Sequence, residues 1–148
     1  MDSNNHRFHH VGSVSGIESD LVDHEAFVEH GRKSYTDTLE VVGGADCGVV
    51  FLSETNFETT TKIFDYLAMG IDILLCTQGE LRSGALNDIL AGHKRVFWCQ
   101  NTDAGVAKFL ESYQPRRRKG KDARATERFS RHHSTKILVE KIYELVRN

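Results

Sequence analysis

The nine residues that follow the most apolar run of the chain carry the groups best suited to hold a ligand. Residues 53–61 read SETNFETTT directly after the run CGVVFL, so Glu54, Glu58 and three consecutive threonines come at the end of a predicted strand. Hydroxyls and free backbone N–H groups at a helix start attract anions, because the positive end of the helix dipole lies there. A diphosphate would fit such a site.

The same threonines also have a purely structural interpretation. Threonine commonly caps helices in proteins of every kind. No glycine-rich phosphate fingerprint such as GxGxxG or GKS occurs in the chain. Spacing alone therefore leaves a ligand site and a helix cap as open alternatives.

The elements that would position this loop alternate along the chain. Apolar runs of strand length recur at five places: Phe8–Val11, Ala26–Val28, Cys47–Leu52, Ile71–Cys76 and Val96–Cys99. The segments between them have helical period. They predict helices after the cap Ser34, around Ile63–Ala68 with an end at Gly70, over Leu81–Leu90, and from Thr102 to Tyr113.

The apolar pattern of the central strands predicts their environment. CGVVFL and IDILLC are apolar runs rather than alternating ones, as is typical of strands covered on both faces. Right-handed crossovers between parallel strands place helices on both sides of a sheet. We therefore expect a single α/β domain over residues 1–148, with a parallel sheet and helices on both faces.

The end of the chain differs in composition. Residues 116–127, RRRKGKDARATE, are polar and basic and predict an exposed linker. No aromatic residues interleave the basic run, so a solvated loop is favoured over docking to nucleic acid or lipid. Residues 129–148 predict a terminal amphipathic helix, with apolar residues at Ile137, Leu138, Ile142, Leu145 and Val146.

The composition of the chain favours some classes of protein over others. The chain has 148 residues, 39% of them hydrophobic and 27% charged, which is typical of one globular domain. A net charge of −2 gives no overall attraction to nucleic acid. No run is long enough for a membrane helix, and Met1–His10 does not read as a signal peptide, so we expect a cytoplasmic protein.

The cysteines and histidines invite a metal or redox interpretation. Cys47, Cys76 and Cys99 are widely spaced within apolar runs and predict buried, reduced thiols, since no CxxC pair exists. The adjacent pairs His9–His10 and His132–His133 would point apart on a strand or a helix, which disfavours a metal site. We expect no metal and no cofactor.

Residues 45–80 carry a family resemblance. ADCGVVFLSETNFETTTKIFDYLAMGIDILLCTQGE resembles the donor-binding half of GT-B glycosyltransferases of the family 4 and family 1 type, enzymes with two facing Rossmann-like domains. The most specific part is TKIFDYLAMG, residues 61–70. Weaker likenesses at 8–12, 27–46 and 129–146 extend the resemblance over most of residues 7–148.

The resemblance implies a role for each residue of the loop and helix. The carboxylate at the position of Asp65 would accept hydrogen bonds from the nucleotide ribose. Thr60 and Thr61 would lie beside the donor diphosphate. Lys62 would either add positive charge there or remain an ordinary surface lysine. The expected substrate is a UDP- or GDP-sugar, transferred to a glycan or lipid-linked acceptor.

The chain also departs from the family pattern. A second carboxylate would be expected at Phe57, so either Glu58 or Glu54 substitutes for it or the donor sugar is held differently. Asp72 stands where a proline is usual, a change expected to affect only the turn. A basic pair that neutralises the leaving diphosphate has no clear match, and Arg32 and Lys33 are weak substitutes.

These departures leave several functions open. The acceptor-binding domain is expected to lie outside this chain, so the alternative to an active transferase is a non-catalytic nucleotide-sugar-binding subunit, or a remnant, that needs such a partner. Peripheral membrane contact would accompany a lipid-linked acceptor. A nucleotide-sugar epimerase could use the same fold. A response-regulator domain would need an acidic cluster, and only Asp46 comes near.

Overall fold

The computed structural model describes residues 6–54, 61–116 and 131–146. In these ranges five strands alternate with six helices. They are β1 Phe8–His10, α1 Ser19–Val22, β2 Phe27–Glu29, α2 Tyr35–Gly44, β3 Cys47–Leu52, α3 Thr61–Met69, β4 Asp72–Thr77, α4 Gly84–Leu90, β5 Val96–Gln100, α5 Asp103–Ser112 and α6 Arg131–Val146. Each of the five predicted strands is present.

The chain separates into two compact units, Met1–Ala45 and Asp46–Asn148. In the first, β1 and β2 pair in parallel, with Phe8 opposite Phe27 and their ring centroids 5.7 Å apart. α2 begins as predicted, because the Ser34 hydroxyl accepts a hydrogen bond from the Asp37 backbone N–H at 3.2 Å. This unit is a small parallel pair of strands with its following helix.

The second unit is built on the parallel sheet β3–β4–β5, in that order. One face packs against α3 and α4 through side chains that include Ile63 and Leu86. The other face packs against α5 through Val106 and Phe109. Parallel strands with helices on both faces confirm the predicted α/β, Rossmann-like class, and β4 is buried along its whole length.

A glycine and a turn determine where α3 ends and where α4 begins. α3 ends at Gly70, whose φ of +67° is left-handed, as predicted for a C-terminal glycine. α4 begins at Gly84, three residues later than the predicted Leu81. The reason is a turn in which the Ser83 hydroxyl donates to the Glu80 carbonyl and Arg82 has a φ of +57°.

A terminal helix is present as predicted, as α6. Its described side chains, residues 135–144, are exposed, including Ile137 and Leu138 at 46% and 59%. The predicted linker lies outside the described residues except for Arg116, which donates to the Lys94 carbonyl and lies over the Phe97 ring. Among the described helices none is long and apolar enough to cross a membrane.

The amino-terminal end of β4 holds a buried carboxylate. Asp72 is 0% exposed, and its two oxygens accept from Arg95 Nη1 and from the Tyr113 hydroxyl, each at 3.0 Å. Burial, followed by this hydrogen bond, raises the pKa of Tyr113. Partners of this kind offset the cost of removing a charge from water. Asp72 therefore does more than alter a turn, since it links β4 to the chain before β5 and after α5.

Candidate functional site

The three parallel strands of the second unit end at one edge of the sheet. β3 ends at Leu52, β4 at Thr77 and β5 at Gln100, three residues that stand in register. Open parallel sheets bind ligands at this carboxyl edge, because the loops there lead into helix N-termini. The loop singled out in the sequence starts from this edge, at Ser53 and Glu54.

Hydrogen bonds hold the loop that follows β4 in place at this edge. The buried Thr77 hydroxyl accepts from the Gly79 N–H at 3.0 Å, and the Gln100 side-chain amide donates to the Gly79 carbonyl at 3.0 Å. The Asn101 N–H donates to the Thr77 carbonyl at 2.8 Å. The loop after β4 is therefore held by β5 and by its own strand.

Gly79 also approaches the loop after β3. A Cβ atom at this position would lie 2.0 Å from the Glu54 carbonyl oxygen, well inside van der Waals contact. That neighbour is backbone, which a side-chain rotation cannot move. The turns after β3 and β4 thus touch directly, and glycine is required where they do.

Replacing Gly79 with alanine is expected to displace the turn at Glu54 and to lower the free energy of unfolding by about 1–2 kcal/mol, as overpacking usually does. The amide resonances of Glu54 and Gln100 should shift in an ¹H–¹⁵N spectrum. Gly92→Ser is a useful comparison, because nothing lies within 4 Å of a Cβ there, although its φ of +83° adds strain. Unchanged Glu54 and Gln100 resonances in Gly79→Ala would contradict the contact.

The helix that follows β3 carries three of the predicted site residues. Thr61 and Lys62 form its exposed first turn, and Asp65 is half-buried one turn later. Residues four apart lie on the same side of a helix, so Thr61 and Asp65 are neighbours. That side is opposite to Ile63 and Leu67, which pack into the core.

The remaining predicted residues are placed less completely. Glu54 is exposed in the turn directly after β3. Thr60 and Glu58 lie outside the described residues, so their parts in the site stay predictions. The choice between a ligand site and a simple helix cap also stays open, because the residues just before Thr61 are not described.

The predicted substitutes for the basic pair lie in the other unit. Arg32 and Lys33 are exposed between β2 and α2.

The loop after β4 carries a cation, Arg82, that no sequence pattern indicated. Arg82 is exposed in the loop after β4, and among the described residues it is the one non-glycine residue with a positive φ. Such a conformation is uncommon and costs free energy outside glycine.

The histidines do not assemble a metal centre in the part of the chain that the structure describes. His9 Nδ1 and His30 Nε2 share a hydrogen bond of 2.9 Å, whereas His10 Nε2 contacts the Ser13 carbonyl. Within the described ranges, no group of three or more His, Cys, Asp or Glu side chains is arranged so that it could hold a metal ion. The adjacent His9 and His10 do have different partners, as the strand geometry predicts.

Comparison of the chain with protein-family models, with curated proteins and with solved structures finds no match. The glycosyltransferase resemblance therefore rests on the sequence alone, chiefly on the motif in residues 61–70.

Proposed function

We propose that this chain binds a nucleoside-diphosphate sugar, with UDP or GDP as the nucleotide, at the carboxyl edge of β3–β4–β5, and that it is the donor-binding part of a glycosyltransferase. The observation that carries the proposal is the placement of TKIFDYLAMG. Most of this segment forms a helix that follows β3 at the carboxyl edge of a parallel sheet, where open sheets commonly bind ligands, with the exposed Thr61 and the half-buried Asp65 on one side.

Asp65 is the proposed contact for the ribose. An ionised carboxylate accepts hydrogen bonds only, and its two oxygens suit the two adjacent hydroxyl donors of a ribose ring. Hydrogen bonds to a charged acceptor are stronger than neutral ones. The position of Asp65 one turn into α3 leaves the first turn of the helix for the diphosphate.

The diphosphate would meet the first turn of α3. Free N–H groups and the positive dipole end favour an anion there, and Thr61 and Lys62 add a hydroxyl and an exposed positive charge. Thr60, the neighbour of Thr61, would extend this contact. Glu58 or Glu54 would face the donor sugar, where carboxylates can accept from sugar hydroxyls.

These groups suit the charge changes of glycosyl transfer. The acceptor oxygen forms a bond to the anomeric carbon as the bond from that carbon to the diphosphate oxygen breaks. Negative charge then grows on the departing diphosphate, and preorganised donors aimed at it stabilise the transition state. The acceptor proton would pass to a base supplied with the acceptor site.

A second candidate is a nucleotide-sugar-binding subunit that needs a partner for transfer. The exposure of Glu54, Thr61 and Lys62 favours it, because in the described part of the chain the donor would rest against one open edge. Sugar transfer by this chain alone to a glycan acceptor would eliminate this candidate. Transfer that appears only when an acceptor-binding protein is added would support it.

Asp65→Asn is expected to weaken binding of UDP- or GDP-sugars by about 10- to 100-fold, because the amide replaces a charged acceptor of two hydrogen bonds. Binding is measured by chemical-shift titration, with each nucleotide and each nucleotide sugar tested separately. Asp88→Asn is the matched control, since it makes the same change at an exposed position of α4.

The titration also tests the site itself. Shifts on binding should map to residues 61–66 and to the turns at Glu54 and Gly79. If no UDP or GDP compound binds, or if Asp65→Asn binds as tightly as the unaltered chain, the proposed function is wrong.

A further inference from the structure

Two of the three cysteines are brought into contact by the sheet. Cys76 on β4 stands directly opposite Cys99 on β5 in the parallel register. Their sulfur atoms are 3.5 Å apart, both side chains are buried, at 1% and 6% exposure, and both thiols are free. The pair lies 23 residues apart in sequence, so no local motif indicated it.

The usual spacing of paired strands suits a disulfide between directly opposite residues such as Cys76 and Cys99. Neighbouring strands lie about 4.8 Å apart, which falls within the Cα separations of about 4.4–6.8 Å seen in disulfides. A bond of about 2.05 Å needs the two sulfurs to approach by roughly 1.5 Å, which side-chain rotation can supply. The strands themselves need not separate or slide.

We propose that Cys76 and Cys99 are a redox modification site, a dithiol that a peroxide converts into a cross-strand disulfide. In the first step one thiol loses its proton, the thiolate attacks hydrogen peroxide, the O–O bond breaks, and a sulfenic acid forms while the leaving hydroxide takes up the released proton as water. In the second, the other thiol loses its proton, its thiolate attacks the sulfenic sulfur, the S–S bond forms as the S–O bond breaks, and the leaving hydroxide takes up that proton as a second water. Two electrons pass from the dithiol to the peroxide.

Acidity does not favour Cys76 over Cys47, so the contact with Cys99 must select Cys76 for disulfide formation. Burial, followed by its contact with Cys99, raises the pKa of Cys76 to about 12. Burial, followed by the charge of Asp72, likewise raises the pKa of Cys47 to about 12. Thiolate is the reactive form, so oxidation should be slow at neutral pH and its rate should rise about tenfold per pH unit. A small oxidant is required because the pair is buried.

The position of the pair gives the modification a structural consequence. Cys76 and Cys99 directly precede Thr77 and Gln100, the two residues that hold Gly79 at the carboxyl edge. A disulfide would link β4 to β5 one residue before that edge. The inference does not depend on the proposed function, since oxidation is measured without any nucleotide.

The experiment treats the folded full-length chain with hydrogen peroxide after removal of reductant, then digests it with trypsin without reduction. The three cysteines fall on separate expected peptides, 34–62, 63–82 and 96–108. We expect peptide 63–82 to be linked to 96–108, a mass loss of about 2 Da, and reversal by a dithiol reductant.

Cysteine-to-alanine variants identify which two thiols form the disulfide. Cys47→Ala should oxidise as the unaltered chain does, whereas Cys76→Ala and Cys99→Ala should form no intramolecular disulfide. The peptide map of the unaltered chain decides the matter even if a core variant fails to fold. Persistence of all three thiols, oxygen adducts on separate cysteines without a link, or a link to peptide 34–62 would each overturn the proposal.

Discussion

Replacing Arg95 with methionine is expected to lower the free energy of unfolding by about 3 kcal/mol, the lower end of the cost of removing one partner from a buried ion pair, because the Arg95 side chain is 25% exposed. The Asp72 side chain is 1% exposed, and Arg95 supplies its counter-charge at 3.0 Å. Methionine keeps most of the length of the side chain, but in the described part of the chain it leaves the carboxylate with the Tyr113 hydroxyl as its remaining side-chain donor. Urea unfolding at pH 7, followed by circular dichroism, measures the change.

Two further variants separate the ion pair from general surface effects. Lys94→Met removes a charge from the exposed neighbouring position and should leave unfolding nearly unchanged. Tyr113→Phe removes one hydrogen bond to the same carboxylate and should cost about 1.5–3 kcal/mol. Because both partners bind one group, the losses in the Arg95→Met, Tyr113→Phe double variant should not add. A loss below about 1 kcal/mol in Arg95→Met would contradict the network.

Gly48→Ala is expected to cost about 2–3 kcal/mol, the second large effect. Gly48 is buried on β3, and a Cβ there would lie 2.4 Å from two ring carbons of Tyr66 on α3. The ring is half-buried and packs against the core, so it cannot simply turn away. The absence of a side chain at Gly48 is what allows α3 to lie close to the sheet.

Two comparisons test this contact: Gly48→Ala made in a Tyr66→Leu chain, and an alanine substitution at a different glycine. In a Tyr66→Leu chain, Gly48→Ala should cost less, because the ring it would meet is gone. Gly44→Ala places the same methyl group at the end of α2, where nothing lies within 4 Å, and should be neutral or slightly stabilising. Equal costs for Gly48→Ala in both backgrounds would show that the ring does not limit the approach of α3.

The buried thiols show where prediction from sequence succeeded and where it ended. Cys76 and Cys99 are buried and reduced, as their apolar surroundings predict, while Cys47 is half-buried. That two of them face each other depends on the register of β4 with β5. Apolar patterning predicts that a strand exists, but register is decided by packing and turn geometry over the whole sheet.

The sequence by itself determined the alternating elements, because period and end signals are local. The run CGVVFL, the cap Ser34 and the terminator Gly70 act within a few residues of where they stand. The same local spacing places Thr61 beside Asp65 on α3, so this part of the arrangement was predictable. The ligand contacts of all the candidate residues, Thr60 and Glu58 included, remain predictions.

Tertiary structure alone decided the contacts between residues distant in the chain. Asp72 meets Tyr113 across 41 residues, and Gly79 touches Glu54 because two strand ends meet at one edge. No local pattern encodes these pairs, since each depends on how strands register and how helices dock on the sheet. The sequence of the loop after β3 was thus recognisable as chemically suited to an anion, and the fold decided that this loop starts from the carboxyl edge of the sheet, the edge at which open parallel sheets bind ligands.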